Sequence, residues 1–308
     1  MHTSGRLRIA ATLRRNIAFP ERGRVDVKVI TNCEELRELH QTWRHHDEHV
    51  AIVPTMGNLH EGHLSLVELA AEHAERVVVT VFVNPTQFGE GEDFEDYPRT
   101  LERDTRRLKT LQADVVFAPS VDTVYPFGID NATQVTVPNL TQNFCGASRP
   151  GHFDGVTTVV ARLFALVQPH VAVFGQKDYQ QQLVIRHMTT DLSLPVRIIT
   201  APTVREPDGL AMSSRNQYLS AEERELAPLL YASIQSIGQE LQNGIRNFEE
   251  LESDAVDKLQ AAGFSPDYVA IRRAQNLEVP DRDCDEIVVL VAAQLGKARL
   301  IDNIVVTI

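Results

Sequence analysis

The stretch Val50-Ala-Ile-Val-Pro-Thr-Met-Gly-Asn-Leu-His-Glu-Gly-His-Leu-Ser-Leu-Val-Glu-Leu-Ala-Ala71 decides how this chain is read. The apolar, β-branched run Val50 to Val53 has the character of a buried strand, and Leu64, Leu66, Val67, Leu69, Ala70 and Ala71 then recur at helical spacing. Between them lies a turn carrying Gly57, Gly62 and the pair His60 and His63. A helix that begins after such a turn presents unpaired backbone N–H groups and the positive end of its dipole, which suits a phosphate. The glycines let a ligand approach the backbone. Two imidazoles three residues apart can reach the same ligand and follow its developing charge, at a protonation cost that neutral pH keeps small.

The same alternation continues outward. Strands are expected near 27–31, 50–54, 77–83, 114–118, 171–175 and 195–200, with helical patterns near 33–46, 63–75, 98–111, 154–167 and 178–190. Strands that read as continuous apolar runs between helices predict an α/β fold, a parallel sheet covered by helices on both faces. Ligands in such folds lie beyond the carboxyl ends of the strands, where the histidine turn, Asn84 to Gly89 and Gly175 to Asp178 all fall. After about residue 201 the pattern becomes two helices, near 220–243 and 246–262, then strands near 267–273, 286–293 and 298–307. That predicts a smaller α+β domain over 202–308, joined by a hinge to a Rossmann-like domain over 27–201.

Composition narrows the function. The 308 residues can build a large core, and Lys+Arg 30 against Asp+Glu 42 leaves a net charge of −12, with no basic run interleaved with aromatics. Nucleic acid is therefore not an expected partner. Cys33, Cys145 and Cys284 are odd in number and widely spaced, which fits a reducing compartment and no disulfide frame. No apolar run approaches the roughly 20 residues of a membrane span. A soluble, cytoplasmic protein is expected. Residues 1–26 form an Arg-rich extension, read either as a transit-type presequence or as an upstream extension.

Further residues carry candidate chemistry. Met212-Ser-Ser-Arg215 sits just past the expected hinge, so Ser213, Ser214 and Arg215 would be presented on a cap able to close over a ligand. Lys177 and Arg215 are cations, and with the histidines they could neutralise charge on a departing pyrophosphate. Asp178 can hold ribose hydroxyls or Mg2+, or cap a helix. Asn84, Gln87 and Gln181 are neutral amides, able to hydrogen-bond hydroxyls or a carboxylate without adding charge. Asp104 is read either as a Mg2+ contact or as an ordinary acid on a helix face. His60 and His63 as a zinc site would lack the remaining ligands, since no Cys or His cluster has the spacing. No Gly-x-Ser-x-Gly elbow supports a serine hydrolase.

These segments carry a resemblance. Pro54-Thr-Met-Gly-Asn-Leu-His-Glu-Gly-His63 resembles the HIGH-type signature of the nucleotidyltransferase superfamily and is similar, at full length, to the pantoate beta-alanine ligases. Further blocks agree in order: Phe82-Val-Asn-Pro-Thr-Gln-Phe-Gly89 with Tyr97-Pro-Arg-Thr100, Gly151-His-Phe-Asp-Gly-Val-Thr-Thr158, Phe174-Gly-Gln-Lys-Asp-Tyr-Gln-Gln181 and Asp208-Gly-Leu-Ala-Met-Ser-Ser-Arg-Asn216. The match runs from about residue 27 to Arg299-Leu-Ile-Asp302. It implies condensation of pantoate with beta-alanine through a pantoyl adenylate formed from Mg-ATP, in a homodimer. It also implies that Met56, Gly57, Asn58, Leu59, His60, Glu61, Gly62, His63, Gly175, Gln176, Lys177, Asp178, Val204, Met212, Ser213, Ser214 and Arg215 line ATP. By the same resemblance Gln87 and Gln181, with Asn84, hold pantoate, and Gln87 also borders beta-alanine. His63 takes a proton-donor role and acts with His60, Lys177 and Arg215.

Two departures stand out: Gln176 where the family usually has Glu, and Ala270 where Glu is frequent. Two competing functions are kept in view. Another adenylyltransferase would share the histidine turn but not Asn84-Pro-Thr-Gln-Phe or Lys177-Asp-Tyr-Gln-Gln. A non-catalytic ATP-binding subunit would not need His60, His63, Lys177, Ser213 and Arg215 all intact.

Overall fold

A computed structural model describes residues 27–308 apart from 90, 112, 282 and 283. The presequence or extension expected over 1–26 lies outside the described residues. The chain runs β1 (Lys28–Ile30), α1 (Cys33–His45), β2 (Val50–Thr55), α2 (Glu61–Ala71), β3 (Arg76–Val81), α3 (Leu101–Leu108), β4 (Val115–Phe117), α4 (Val121–Val124), α5 (Cys145–Ser148), α6 (His152–Val167), β5 (Val171–Gly175), α7 (Tyr179–Asp191) and β6 (Arg197–Ala201). These six strands form one sheet in the order β1-β4-β3-β2-β5-β6. Every pairing in it is parallel.

The inner strands β2, β3, β4 and β5 alternate between two apolar layers. Val50, Ile52, Val78, Phe117, Ala172 and Phe174 face one core with Leu36 and Trp43 of α1 and the inner side of α6. Ala51, Val53, Val77, Val79, Val116, Val171 and Val173 face the other, with Val67 and Ala70 of α2 and Leu108 of α3. Both faces are covered, so the strands read as unbroken apolar runs. Each fully buried Val, Leu, Ile or Phe stabilises the fold by about 1.5–3 kcal/mol relative to exposure.

The remainder comprises α8 (Ala221–Leu226), α9 (Leu229–Gln242), α10 (Phe248–Ala261) and the antiparallel sheet of β7 (Ser265–Arg273), β8 (Glu286–Leu295) and β9 (Ala298–Thr307), in the order β7-β8-β9. The single helix expected over 220–243 is two. Pro228 has no N–H to continue the ladder, and its ring would collide with the carbonyl one turn back, so α8 stops before it. One face of the small sheet packs on α9 and α10 through Ile234, Leu241, Leu259, Ile287 and Val289. Its other face buries Ala270, Val288 and Leu290 against Tyr179 at the start of α7. The Ala270 departure therefore lies in an apolar seam, 2% exposed, between the two sheets' layers.

Candidate active site

The chain leaves β2 through α2 to β3 on one side and later returns through α6 to β5 on the other. The carboxyl ends of β2 and β5 therefore flank the point where strand order reverses. Crevices at such points are where open α/β sheets bind ligands. A cavity of about 220 Å³ opens there. It is lined by Met56, Gly62, His60 and His63 from the first turn, Asn84 and Gln87 from beyond β3, and Gly175, Lys177, Asp178 and Gln181 from beyond β5. Val204, Met212, Ser213, Ser214 and Arg215 close it from the far side. A second cavity of about 360 Å³ shares Lys177, Asp178, Gln181, Ser213 and Arg215 and extends to β8 and β9.

The histidine turn is gripped from behind by α3. Gly57 has φ +85°, and a Cβ there would lie 3.0 Å from Val81 Cγ1 and 3.1 Å from Asp104 Oδ2, so only glycine fits. Asp104 is wholly buried. Its carboxylate accepts the backbone N–H groups of Asn58 and Leu59, each at 2.9 Å, and the Thr100 hydroxyl at 3.0 Å. Arg107 donates to the Leu59 carbonyl at 2.6 Å and pairs with Glu61. Asp104 does lie on a helix, α3, as one reading had it, but it is buried, and its oxygens are taken up by two backbone N–H groups and the Thr100 hydroxyl rather than offered to Mg2+. The expectation of free N–H groups in this turn is also narrowed, because two of them point inward. Gly57, Asn58, Leu59 and Glu61 shape the turn without lining the cavity.

His60 caps α2 and His63 follows as its third residue, with ring centroids 4.1 Å apart. The His60 backbone N–H reaches His63 Nδ1 at 3.3 Å, which leaves the proton of the neutral ring on Nε2. Burial, then Lys177, holds His60 down to about 4. Burial, then His60 and Lys177, holds His63 down to about 3. The small protonation cost expected from sequence is thereby corrected. Two adjacent imidazoliums beside an ammonium, partly out of water, are disfavoured, and both rings are neutral donors near pH 7.

Opposite them, the Lys177 ammonium has only Asp178 Oδ2 for a partner among the described residues, at 3.8 Å. Asp178 stands at the N-cap position of α7, as the capping reading expects, but its side chain makes no cap bond. Ser213 Oγ accepts from Arg215 N at 3.2 Å, and Ser214 Oγ donates to Asn58 O at 3.4 Å, joining this segment to the histidine turn. Arg215 is held by Asp93 at 2.9 Å. Gln176 does not line the cavity; its amide donates to Asn303 Oδ1 at 3.4 Å. Among the described residues no group of three or more His, Cys, Asp or Glu could hold a metal. A metal here would have Asp178 and otherwise ligand oxygens and water, a donor set that suits Mg2+ carried by a polyphosphate.

The three amides differ. Asn84 is 1% exposed and committed to the protein: it donates to Gly155 O at 3.1 Å and Gln87 Oε1 at 3.2 Å, and accepts from Tyr125 OH at 2.7 Å. Its expected ligand contact is thus taken up by neighbours. Gln87 Nε2 meets Met56 Sδ at 3.1 Å. The Gln181 amide has no hydrogen-bond partner among the described residues and borders the cavity. Facing them is an apolar wall of Val156, Val159, Val160 and Leu163 on α6. Sequence reasoning missed this wall, although Val156 lies within the Gly151–Thr158 block.

It also missed His152 and Arg149, whose side chains meet the Gln87 carbonyl at 2.7 and 3.3 Å. Burial, then Arg149, lowers His152 to about 4. His152, like Val156, lies within the Gly151–Thr158 block, whereas nothing marked Arg149, whose contact spans 62 positions.

Known proteins share this sequence pattern and this fold. A family described as pantoate-beta-alanine ligase matches residues 28–305. A pantothenate synthetase of Nitrosococcus oceani is 52% identical over 277 residues, covering 90% of this chain and 97% of its own. The crystal structure of pantothenate synthetase from Thermus thermophilus matches with TM-score 0.83 at 46% identity, over 90% of this chain and 99% of that one. A Francisella tularensis pantoate-beta-alanine ligase, solved with beta-gamma ATP and beta-alanine, matches with TM-score 0.75 at 31% identity, over 90% and 97%. Matched in sequence from residue 28 to 305 and in fold over 90% of its length, this chain belongs to the pantoate-beta-alanine ligase family.

Proposed function

We propose that the chain catalyses the ATP-dependent condensation of (R)-pantoate with beta-alanine to pantothenate. The observation that carries the reading is one crevice holding a neutral histidine pair, an almost unpaired Lys177 ammonium, the Met212–Arg215 segment, and an unpartnered Gln181 amide facing the α6 wall. The pantoate carboxylate attacks the α-phosphorus of ATP and pyrophosphate leaves. The beta-alanine amine then attacks the acyl carbon, loses a proton, and releases AMP. No protein nucleophile is needed, so catalysis is positioning plus electrostatic stabilisation.

Lys177, Arg215 and the hydroxyls of Ser213 and Ser214 would neutralise the departing pyrophosphate, with Arg215 exchanging Asp93 for phosphate. His60 and His63 would donate neutral N–H bonds to the same oxygens, His63 through Nε2. Mg2+ bound with ATP would supply further charge neutralisation, with Asp178 in reach. Gln87 and Gln181 would hold pantoate, whose gem-dimethyl carbon suits the Val156–Leu163 wall, and Gln87 would also border beta-alanine. Met56, Gly175 and Val204 would flank the nucleotide. The division into a domain over 27–201 and a cap over 202–308, a homodimer and a cytoplasmic location belong to this proposal. Three free cysteines and no helix, among the described residues, long and apolar enough to cross a membrane support the last.

The test is exchange of labelled pyrophosphate into ATP with Mg2+ present and beta-alanine absent. Pantoate-dependent exchange supports a reversible acyl adenylate; no exchange from folded, ATP-binding protein overturns the reading. Gln181→Ala is expected to raise the pantoate KM about tenfold or more, the value of a hydrogen bond to a charged group, with little change for ATP. Equal effects on both would remove its assignment to pantoate.

A further inference from the structure

Asn303 lies on β9 in the small sheet, far in sequence from the nucleotide-facing turn that follows β5, and is 2% exposed. Its Nδ2 donates to the carbonyls of Gln176 and Lys177, both at 2.9 Å, and its Oδ1 accepts from Gln176 Nε2 at 3.4 Å. Both amide protons and the amide oxygen are therefore used on one turn. Because peptides are planar and trans, fixing the carbonyls of 176 and 177 also fixes the N–H groups of Lys177 and Asp178 on the opposite side of each plane. Gln176 donates the third bond, which a Glu at that position could not.

The preceding residue makes the matching attachment. Asp302, 3% exposed, pairs in bidentate fashion with Arg205 at 2.5 and 2.9 Å, and Arg205 stacks 3.5 Å over the Tyr231 ring. Arg205 also pairs through its backbone with Ala211, immediately before Met212–Arg215. Adjacent residues of a strand point to opposite faces, so Asp302 and Asn303 reach the two walls of the crevice from one rigid strand.

We infer that Asn303 is a positioning residue for the nucleotide: it holds the Gln176-Lys177 turn so that Lys177 and the following N–H groups meet the phosphates, in register with the wall that Asp302 fixes. This rests on the proposed ATP-dependent reaction. Asp in place of Asn303 presents two oxygens to two carbonyls and must swing the turn away; Ser keeps one proton and should be intermediate.

The experiment measures Tm, direct ATP binding, and the separate KM values for ATP and pantoate in pyrophosphate exchange, for the full chain, Asn303→Asp and Asn303→Ser. The expected result is an ATP KM and an ATP dissociation constant raised about tenfold or more in Asn303→Asp, and less in Asn303→Ser, with the pantoate KM within about twofold. A folded Asn303→Asp with unchanged ATP affinity overturns the inference, as does a parallel rise in both KM values with a lowered Tm. Should Asn303→Asp not fold, Asn303→Ser decides by the same criteria. If the unsubstituted chain shows no pantoate-dependent exchange, the activity is wrong, and direct ATP binding still judges Asn303.

Discussion

Asp104 and the histidine pair show how much one carboxylate decides. Three donors converge on its two oxygens, and they hold the backbone that aims His60 and His63. In Asp104→Asn one oxygen is replaced by an NH2 that must face a backbone N–H, so one donor is left buried and unpaired, at a cost of about 1–3 kcal/mol. Adenylate formation is expected to drop about tenfold or more, with a smaller effect on aminolysis of preformed adenylate. Following both half-reactions separately checks this, and an equal loss in each would mean that Asp104 acts on the fold alone. The residue types at 60 and 63 were legible in the sequence. Their neutrality was not, because it comes from burial and from Lys177, which spacing does not reveal.

Elements matter most where α6 meets the 3-10 turn Pro85–Gln87. A Cβ on Gly155 would lie 2.3 Å from the Thr86 carbonyl oxygen and 2.7 Å from Gln87 N, both backbone atoms that cannot turn aside. Gly155→Ala is thus expected to push the turn out, at a cost of about 1–3 kcal/mol in stability from overpacking. It should raise the pantoate KM more than the ATP KM, since Gln87 moves and the histidine turn does not. Steady-state kinetics with each substrate varied, beside a urea titration, would test it; unchanged pantoate KM would sink the link. The break between α8 and α9 belongs to the same scale. Helical periodicity runs across Ala227-Pro228, and the proline, with no N–H and a ring that collides with the carbonyl one turn back, divides it.

Across the whole molecule, the titrating histidines act in one direction. His60, His63 and His152 are held at about 4, 3 and 4, and His40, His73 and His170 are lowered too, chiefly by burial. Between these values and the unfolded value of 6.5, the unfolded chain binds more protons than the folded one. Their contribution to stability is therefore fully present above about pH 6.5 and is lost as pH falls toward the folded values. The midpoint of urea unfolding should decline steadily from about pH 7 to about pH 4.5, and a flat profile over that window would contradict the burial of these rings. The small sheet is clamped between its own helices and α7, with Tyr179 OH donating to Ala274 O at 2.8 Å.

The sequence by itself determined the parallel α/β architecture, the position of the histidine turn at a strand end, and most of the residue types that gather in the crevice. Strand composition, helical periodicity and strand-end turns are local properties, written over a few consecutive residues. Only the tertiary structure decided that β5 lies beside β2, that Asn84 is spent on Gly155 and Tyr125, that Asp104 holds the turn, and that Asn303 reaches across from the last strand. Each of those depends on which distant backbone groups a buried polar side chain must satisfy, and that is fixed by how the layers pack rather than by neighbours in the chain.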